Sequence, residues 1–400
     1  MTIEPGTFGT LRELNRLRVV DALRRAGTAS RSELARVTGL SRTTVATLVT
    51  DLQARGLIVE GNGRAEPAGR GRPPVLLRLD AAAGAALGVD FGHRHVRVAV
   101  ADLSSAVLAE RFVEIDVDGG AVVALDAAAD LATEVLVEAG LDRSRVIGAG
   151  MALAGPIDRH RGTVGSTVLR GWSGIHAGDE LSRRLGVPVE LDNDANLGAL
   201  AEVTFGAGRG LADVVYVLMS PGVGAGLVLG ERLYHGASGI AGELGHVHVR
   251  SDGAVCRCGS RGCLETVAST GALLDLLRPT HGPELTLRGM LELVARGDLA
   301  ARRVVTDAGR AVGRALADLC NHLNPEAIVV GGDLSLAGEP LLRGIRDEID
   351  RYALPGASEA VVVKAGVLGE RAAVLGATAV VIADTERLRV AGLAPVGAAG

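Results

Sequence analysis

Lysine is all but missing from this 400-residue chain: Lys364 is the only one, and arginine supplies the rest of the basic residues. Its setting, VVVKAGVLG, is neither the Gly-Lys-Ser/Thr of a Walker A loop nor the strand lysine of a protein kinase, so both of those nucleotide-binding modes are excluded. Long charge-free apolar runs are missing as well, although 48% of the residues are apolar. That combination predicts a cytoplasmic protein with material for cores and no membrane partner. Cysteine is scarce, with four in the chain. No signal-peptide pattern opens the sequence, so a reducing compartment is expected and a disulfide framework is the weaker reading of these thiols.

Charge is unevenly placed. Residues 1–80 hold thirteen arginines against eight acidic residues, a balance of +5 in a chain whose total is −5. The front end therefore reads as a separate basic module, in a chain long enough for two or three domains. Leu11, Leu14, Leu17, Val20 and Leu23 recur at helical spacing until Gly27, which predicts a first helix. Ser30 followed by Glu33 is a capping box for a short second helix, and after Gly39-Leu40 a third opens at Ser41. In that third helix Val45, Leu48, Val49 and Leu52 form the apolar stripe, leaving Arg42, Thr43, Thr44 and Thr47 on other faces. Two short strands, 57–60 and 75–79, flank a loop containing Arg64, Arg70, Gly71, Arg72 and Pro73. The pattern is a winged helix-turn-helix over residues 1–80: threonines and Arg42 suit the major groove, and Arg70 and Arg72 suit a narrow A·T-rich minor groove. Double-stranded operator DNA is the expected partner, and a solvated flexible linker is the bland reading of the arginine loop.

Beyond residue 80 the pattern changes to α/β. Three strands at 87–90, 95–102 and 107–114, a helix from 121 and a strand at 146–153 form a meander followed by alternating elements, as an actin-like, ribonuclease-H-like lobe begins. A strand at 187–191 runs into Asp192-Asn193-Asp194-Ala195-Asn196 and then a helix. Polar side chains at the carboxyl end of a parallel strand, opening a helix, predict a ligand cleft, where an Asp can act as base toward a sugar hydroxyl. Asn and Asp also serve there simply as turn and cap residues. Gly222-Val-Gly224-Ala-Gly226 lies between two strands, 214–219 and 227–229. It does not open a helix, so a Rossmann site is disfavoured and a hairpin phosphate loop is expected. Gly331-Gly332 offers a turn against which an adenosine could lie.

Three of the four cysteines, Cys256, Cys258 and Cys263, fall within eight residues on a glycine-rich loop, with His246 and His248 just upstream. Three thiolates and one histidine meet the ligand count of a structural Zn²⁺ site. Cys320, remote in an apolar helical run, reads as a small buried hydrophobe.

In this order the motifs resemble the ROK family, which groups sugar-responsive repressors with bacterial sugar kinases on an actin-like fold. The carriers are Leu191-Asp-Asn-Asp-Ala-Asn196, Gly236-Ala-Ser-Gly-Ile-Ala-Gly-Glu-Leu-Gly-His246 and Cys256-Arg-Cys-Gly-Ser-Arg-Gly-Cys-Leu-Glu265. The resemblance implies Asp194 as the kinase base, here a ligand contact, with Asn193, Glu243, His246 and Glu265 on sugar hydroxyls. It implies His246, Cys256, Cys258 and Cys263 as zinc ligands. It divides the body into one lobe at 81–190 plus 372–390 and a second at 191–371; the Gly-, Ala- and Pro-containing tail at 391–400 is expected to be disordered from its composition. Against the kinase pattern, Asp90-Phe-Gly92-His93-Arg94-His95 replaces Asp-x-Gly-Gly-Thr-Lys, Ser220-Pro221 replaces Gly-Thr, Asp333 follows Gly332, and Val168 replaces an Asn. Asp90, Gly92, Gly222, Gly224 and Gly332 then outline a degenerate nucleotide site, and ATP is not expected as a cofactor. The resemblance points to a repressor, a homodimer or homotetramer, whose operator affinity responds to a sugar or sugar phosphate. The alternative is an ATP-dependent sugar kinase carrying a DNA-binding domain.

Overall fold

The computed structural model describes residues 8–64, 75–158, 162–165 and 169–383. Arg70, Arg72, Val168 and the tail from 391 lie outside the described residues.

Helices α1 (Phe8–Ala26), α2 (Arg31–Thr38) and α3 (Arg42–Ala54) and strands β1 (Ala29–Ser30), β2 (Ile58–Arg64) and β3 (Val75–Leu79) form the N-terminal module, its sheet ordered β1-β3-β2. Local chemistry sets the helix starts. The Ser30 hydroxyl accepts from the Glu33 N–H while the Glu33 carboxylate accepts from the Ser30 N–H at 2.7 Å, a complete capping box. Gly39 leaves α2 in the left-handed region at φ 70°, and Ser41 caps α3 by accepting from the Thr44 N–H. Val19, Leu23, Leu34, Val45, Leu48, Leu52, Ile58 and Leu77 pack into one core, joined by Leu103 from the body. The module is thereby docked, not merely tethered.

The body has two five-stranded sheets of matching topology. The first, ordered β10-β7-β4-β5-β6, joins the antiparallel meander β4 (Ala85–Gly92), β5 (His95–Asp102) and β6 (Val107–Glu114) to parallel strands β7 (Val146–Leu153) and β10 (Val189–Asn193). A small hairpin, β8 (Ile157–Asp158) and β9 (Thr163–Val164), branches off between β7 and β10. The second, ordered β13-β12-β11-β14-β15, repeats the plan with β11 (Val214–Met219), β12 (Val223–Leu229), β13 (Arg232–Leu233), β14 (Ala327–Gly331) and β15 (Val362–Ala365). Helices α4 (Ala121–Glu138) and α5 (Ala177–Leu185), with Trp172, cover the outer face of the first sheet. The second sheet's outer layer contains α8 (Thr270–His281), α9 (Leu287–Ala295), α10 (Leu299–Leu323) and α11 (Glu339–Tyr352), with the short α7 (Glu265–Ala268) and α12 (Pro355–Ala360) beside them. Between the sheets, α6 (Asp194–Phe205) lies on β11 and β12 while α13 (Ala372–Ala383) lies on β4 and β7, and the two helices pack on each other. Their approach needs glycine: a Cβ on Gly376 would stand 1.8 Å from the Leu197 carbonyl oxygen.

Several expected boundaries shift. Leu191–Asn193 pair with β7 in the first sheet, so a division at 190/191 cuts through β10. Gly224 and Gly226 are strand residues of β12 rather than loop, which leaves only Ser220-Pro221-Gly222 as the turn. They are small because α6 presses on them; a Cβ on Gly226 would lie 2.4 Å from the Ala195 carbonyl oxygen.

Candidate functional site

The cleft opens where β10 hands over to α6. Asn193 is the N-cap: its side-chain oxygen accepts from the Ala195 and Asn196 N–H groups, and its Nδ2 donates to the Gly155 carbonyl at 3.0 Å. The cap reading and the cleft reading hold together, since this tie aims Asp194 into the space between the sheets. On the facing side, Gly242 and Gly245 let the chain lie against β12; side chains there would stand 2.0 and 2.1 Å from the carbonyl oxygens of Ala225 and Val223. Glu243 and His246 project from that segment. Glu265 opens α7, and its Oε2 accepts from the Val223 N–H at 3.2 Å.

Asn193, Asp194, Glu243, His246 and Glu265 all line one small cavity of about 60 Å³, together with His93, Gly222 and Arg257. It adjoins a larger one of about 670 Å³ that shares His93, Asp194, Leu218 and Ser220 and is walled by Asp90, Gly92, Arg94, His95, Pro221, Gly332 and Asp333. A larger hollow, about 780 Å³, lies away from the cleft between the segment around Arg250 and helices α8 and α10; its aspartates, Asp275, Asp307 and Asp318, are each paired with an arginine of their own helix.

Burial, reinforced by the charge of Asp90, raises the Asp194 carboxyl to about 6, and burial with the charges of Asp194 and Glu265 raises Glu243 to about 7. A carboxyl raised from an ordinary value near 4 binds more protons folded than unfolded across that interval. Its unfavourable contribution therefore grows as pH rises from about 4 to about 6 and is complete above. Thermal melts of Asp194→Asn against the unsubstituted protein should diverge in the variant's favour across this window; parallel curves from pH 4 to 7 would contradict the buried-acid assignment.

Beside the cleft, one ligand atom each from His246, Cys256, Cys258 and Cys263 lies within 4.8 Å of the others. His246 Nδ1 is 3.6 Å from Cys256 Sγ, and its Nε2 points the opposite way, 3.7 Å from Glu243 Oε2. One imidazole thus serves both places. His248 is exposed and stands outside the cluster, and Cys320 is buried in α10. Burial pushes the Cys263 thiol up to about 12, a cost that a bound cation would reverse by deprotonating it.

At the first turn, the His95 imidazole covers the space above Gly92, where a Cβ would meet its ring at 2.2 Å. His95 Nε2 is 3.2 Å from the buried Asp90 carboxylate, and His93 Nδ1 is 2.8 Å from Asp118. Burial alone would lower the His95 pKa, but its hydrogen bond and charge pairing with Asp90 outweigh that and raise it.

In the N-terminal module Arg42, Thr43 and Thr47 are exposed on α3, whereas Thr44 is half-buried with its hydroxyl 2.8 Å from Ser41 Oγ. Thr44 belongs first to the cap, not to a free reading face.

Two participants escape the sequence reading. Arg257, set between two cluster cysteines, bonds through Nε to Glu265 Oε1 at 2.9 Å. His235, after β13 of the second sheet, reaches Asp192 of β10 in the first sheet at 2.7 Å. Arg257 is signalled only by its place within Cys-Arg-Cys, His235 by nothing local.

Known proteins resemble both halves of the chain. The profile of the ROK family matches residues 86–384 and that of the MarR family residues 12–70. The xylose repressor of Caldicellulosiruptor bescii is 28% identical over 95% of this chain and 98% of its own length. The DNA-binding transcriptional repressor Mlc of Escherichia coli is 30% identical over 94% and 95%. The crystal structure of a ROK family transcriptional regulator, a homologue of the E. coli protein, superposes with a TM-score of 0.80 at 27% identity, covering 96% of this chain and all of that one. A ROK family glucokinase from Streptomyces griseus in complex with glucose and AMPPNP gives 0.66 at 31% identity, covering 74% of this chain and 99% of that one. With the profile spanning both sheets and the cleft between them, the chain belongs to the ROK family.

Proposed function

We propose that this protein is a sugar-responsive transcriptional repressor, whose operator affinity changes when a sugar or sugar phosphate occupies the cleft at Asp194. The observation that carries the reading is the union in one chain of a docked winged helix, with Arg42, Thr43 and Thr47 exposed on α3, and a cleft that gathers three carboxyl groups and two imidazoles. Asn193, Asp194, Glu243, His246 and Glu265 would hold the sugar hydroxyls, carboxylates accepting and the Asn amide and imidazole completing the set. Residues 1–80 would bind DNA, and the two lobes would close on the sugar, with α6 and α13 between them. A homodimer or homotetramer suits half-sites spaced by a helical turn.

His246, Cys256, Cys258 and Cys263 fit Zn²⁺ as a donor set, three sulfurs and one imidazole nitrogen already drawn together. The ion would be structural, closing the loop and orienting His246 with Nε2 toward the cleft. The kinase alternative draws on Asp194, the base by resemblance, but the first turn and Pro221 speak against it.

Operator binding measured across a panel of sugars and sugar phosphates tests module, ligand and coupling together. Affinity that no sugar alters would overturn the reading. In the same assay Thr43→Ala and Thr47→Ala should each relax base preference by about 1–3 kcal/mol. Arg70→Ala with Arg72→Ala should weaken binding chiefly at A·T-rich flanks. Footprints unchanged in all three variants would mean that the module faces something other than DNA.

A further inference from the structure

One contact across the cleft is made by residues outside the set assigned to the sugar. His235 follows β13 of the second sheet, and its Nε2 lies 2.7 Å from Oδ2 of Asp192, a residue of β10 in the first sheet. The Asp192 side chain is 4% exposed. Its other oxygen accepts from the Asn193 N–H at 2.8 Å and from Asn196 Nδ2 at 2.9 Å. A carboxylate so deeply buried persists only when donors surround it, and here they come from both lobes.

Each end of this contact is tied to a cleft residue. On the first-lobe side Asp192 fixes the Asn193 N–H and the Asn196 amide; Asn196 is 1% exposed and its Oδ1 has no hydrogen-bond partner among the described residues, so Asp192 is what holds that side chain. Asn193 in turn caps the helix that begins with Asp194. On the second-lobe side the His235 carbonyl accepts from the Ala241 N–H at 3.1 Å, closing a short loop, and the next residue, Gly242, accepts from the Ala225 N–H at 2.9 Å. Glu243 follows directly. The imidazole therefore joins the segment that presents Glu243 to the strand end that presents Asn193 and Asp194.

We propose that His235 is a positioning residue of the sugar cleft, an inter-lobe tie to Asp192 that sets the spacing between Glu243 and the Asn193–Asp194 pair. The role rests on the sugar reading above and adds to it a residue that does not line the cavity. Nε2 must donate, which either the Nε2–H tautomer or the imidazolium does. A hydrogen bond to a charged partner of this kind is worth enough that its loss should weaken a ligand depending on the spacing about tenfold or more.

The test uses the full-length protein, D-xylose and D-glucose as probes, calorimetric titration, and hydrogen exchange at the Asn193, Asn196 and Ala241 amides without sugar. His235→Ala is expected to weaken the better-bound sugar at least about tenfold, to speed exchange at those amides, and to lower the melting temperature because the buried Asp192 carboxylate loses a donor. His235→Gln, whose amide N–H₂ can reach the same carboxylate, should recover affinity to within about threefold. If the alanine variant does not fold, His235→Asn, whose shorter amide does not reach, takes its place. Unchanged affinity in the variant, or equal losses in the alanine and glutamine variants, would overturn the positioning role alone. Unsubstituted protein that binds neither sugar would overturn the sugar reading for both probes and the positioning role with it.

Discussion

Chelating the Zn²⁺ proposed at His246, Cys256, Cys258 and Cys263, or replacing Cys263 by serine, is expected to lower the melting temperature by about 10 °C or more and to abolish sugar binding at the same time. Structural zinc contributes about 10–16 kcal/mol in peptides that have no other core. Here the segment leading to the loop packs on β12 at Gly242 and Gly245 and the loop runs into α7, so only part of that energy is needed for folding. A loss of several kcal/mol, at about 2–4 °C each in a domain of this size, gives the stated fall. Sugar binding fails for a separate reason: His246 Nδ1 faces the cysteines while Nε2 faces Glu243, and Arg257 is anchored between two cluster residues while bonding to Glu265. Three cleft side chains lose their orientation together. The checks are elemental analysis, expected at about one Zn²⁺ per chain, and melts and titrations before and after chelation. His248→Ala, exposed and outside the cluster, is the control that should change neither. Chelated protein with full stability and full sugar affinity would sink the assignment.

What could be read from residues alone is what local chemistry dictates. Ser30 with Glu33, Ser41 and Asn193 all announce helix starts because a cap bonds within three residues of itself. The Cys-x-Cys pair and the following Gly-Cys place three thiols together within a span too short to scatter them. Reading fails where a residue answers to something distant. Gly224 and Gly226 look like a phosphate loop, yet they are strand residues kept small by Ala195 and Ala199 of α6. The Arg257–Glu265 pair is near in sequence but depends on how the cysteine loop folds back. His235 and Asp192 are separated by 43 residues and belong to different sheets, a pairing that neither periodicity nor motif can register. Thr44 shows the opposite failure: helical spacing puts it on the open face, but the Ser41 hydroxyl claims it.

Sugar-dependent ADP release from ATP is expected to be negligible, even for sugars that the protein binds. Phosphoryl transfer relies on positioned backbone N–H groups, Mg²⁺ and small residues close to the phosphates; a base on the acceptor hydroxyl cannot replace them. Asp194 lines the cleft, and with its carboxyl raised to about 6 it is mostly ionised at neutral pH. The expectation rests on the groups around the phosphate positions. The His95 ring lies over Gly92, and the His93 imidazole is held at the same turn by Asp118. In the second turn Pro221 has no N–H to offer, and its carbonyl accepts from Arg257 at 3.4 Å. Ser220 Oγ is occupied in accepting from the Asp333 N–H at 3.1 Å. Asp333 then brings a carboxyl to the wall of the larger cavity, where Asp90 and Glu370 already stand, so a triphosphate would meet like charge on entry. Nucleotide should consequently give no thermal shift under conditions in which sugar does. The decisive measurement is ADP release with Mg²⁺ and ATP at pH 6 to 8, run beside sugar titrations on the same preparation. Turnover of about 1 to 10³ s⁻¹, the ordinary enzyme range, would show that a kinase is at work behind the DNA-binding module.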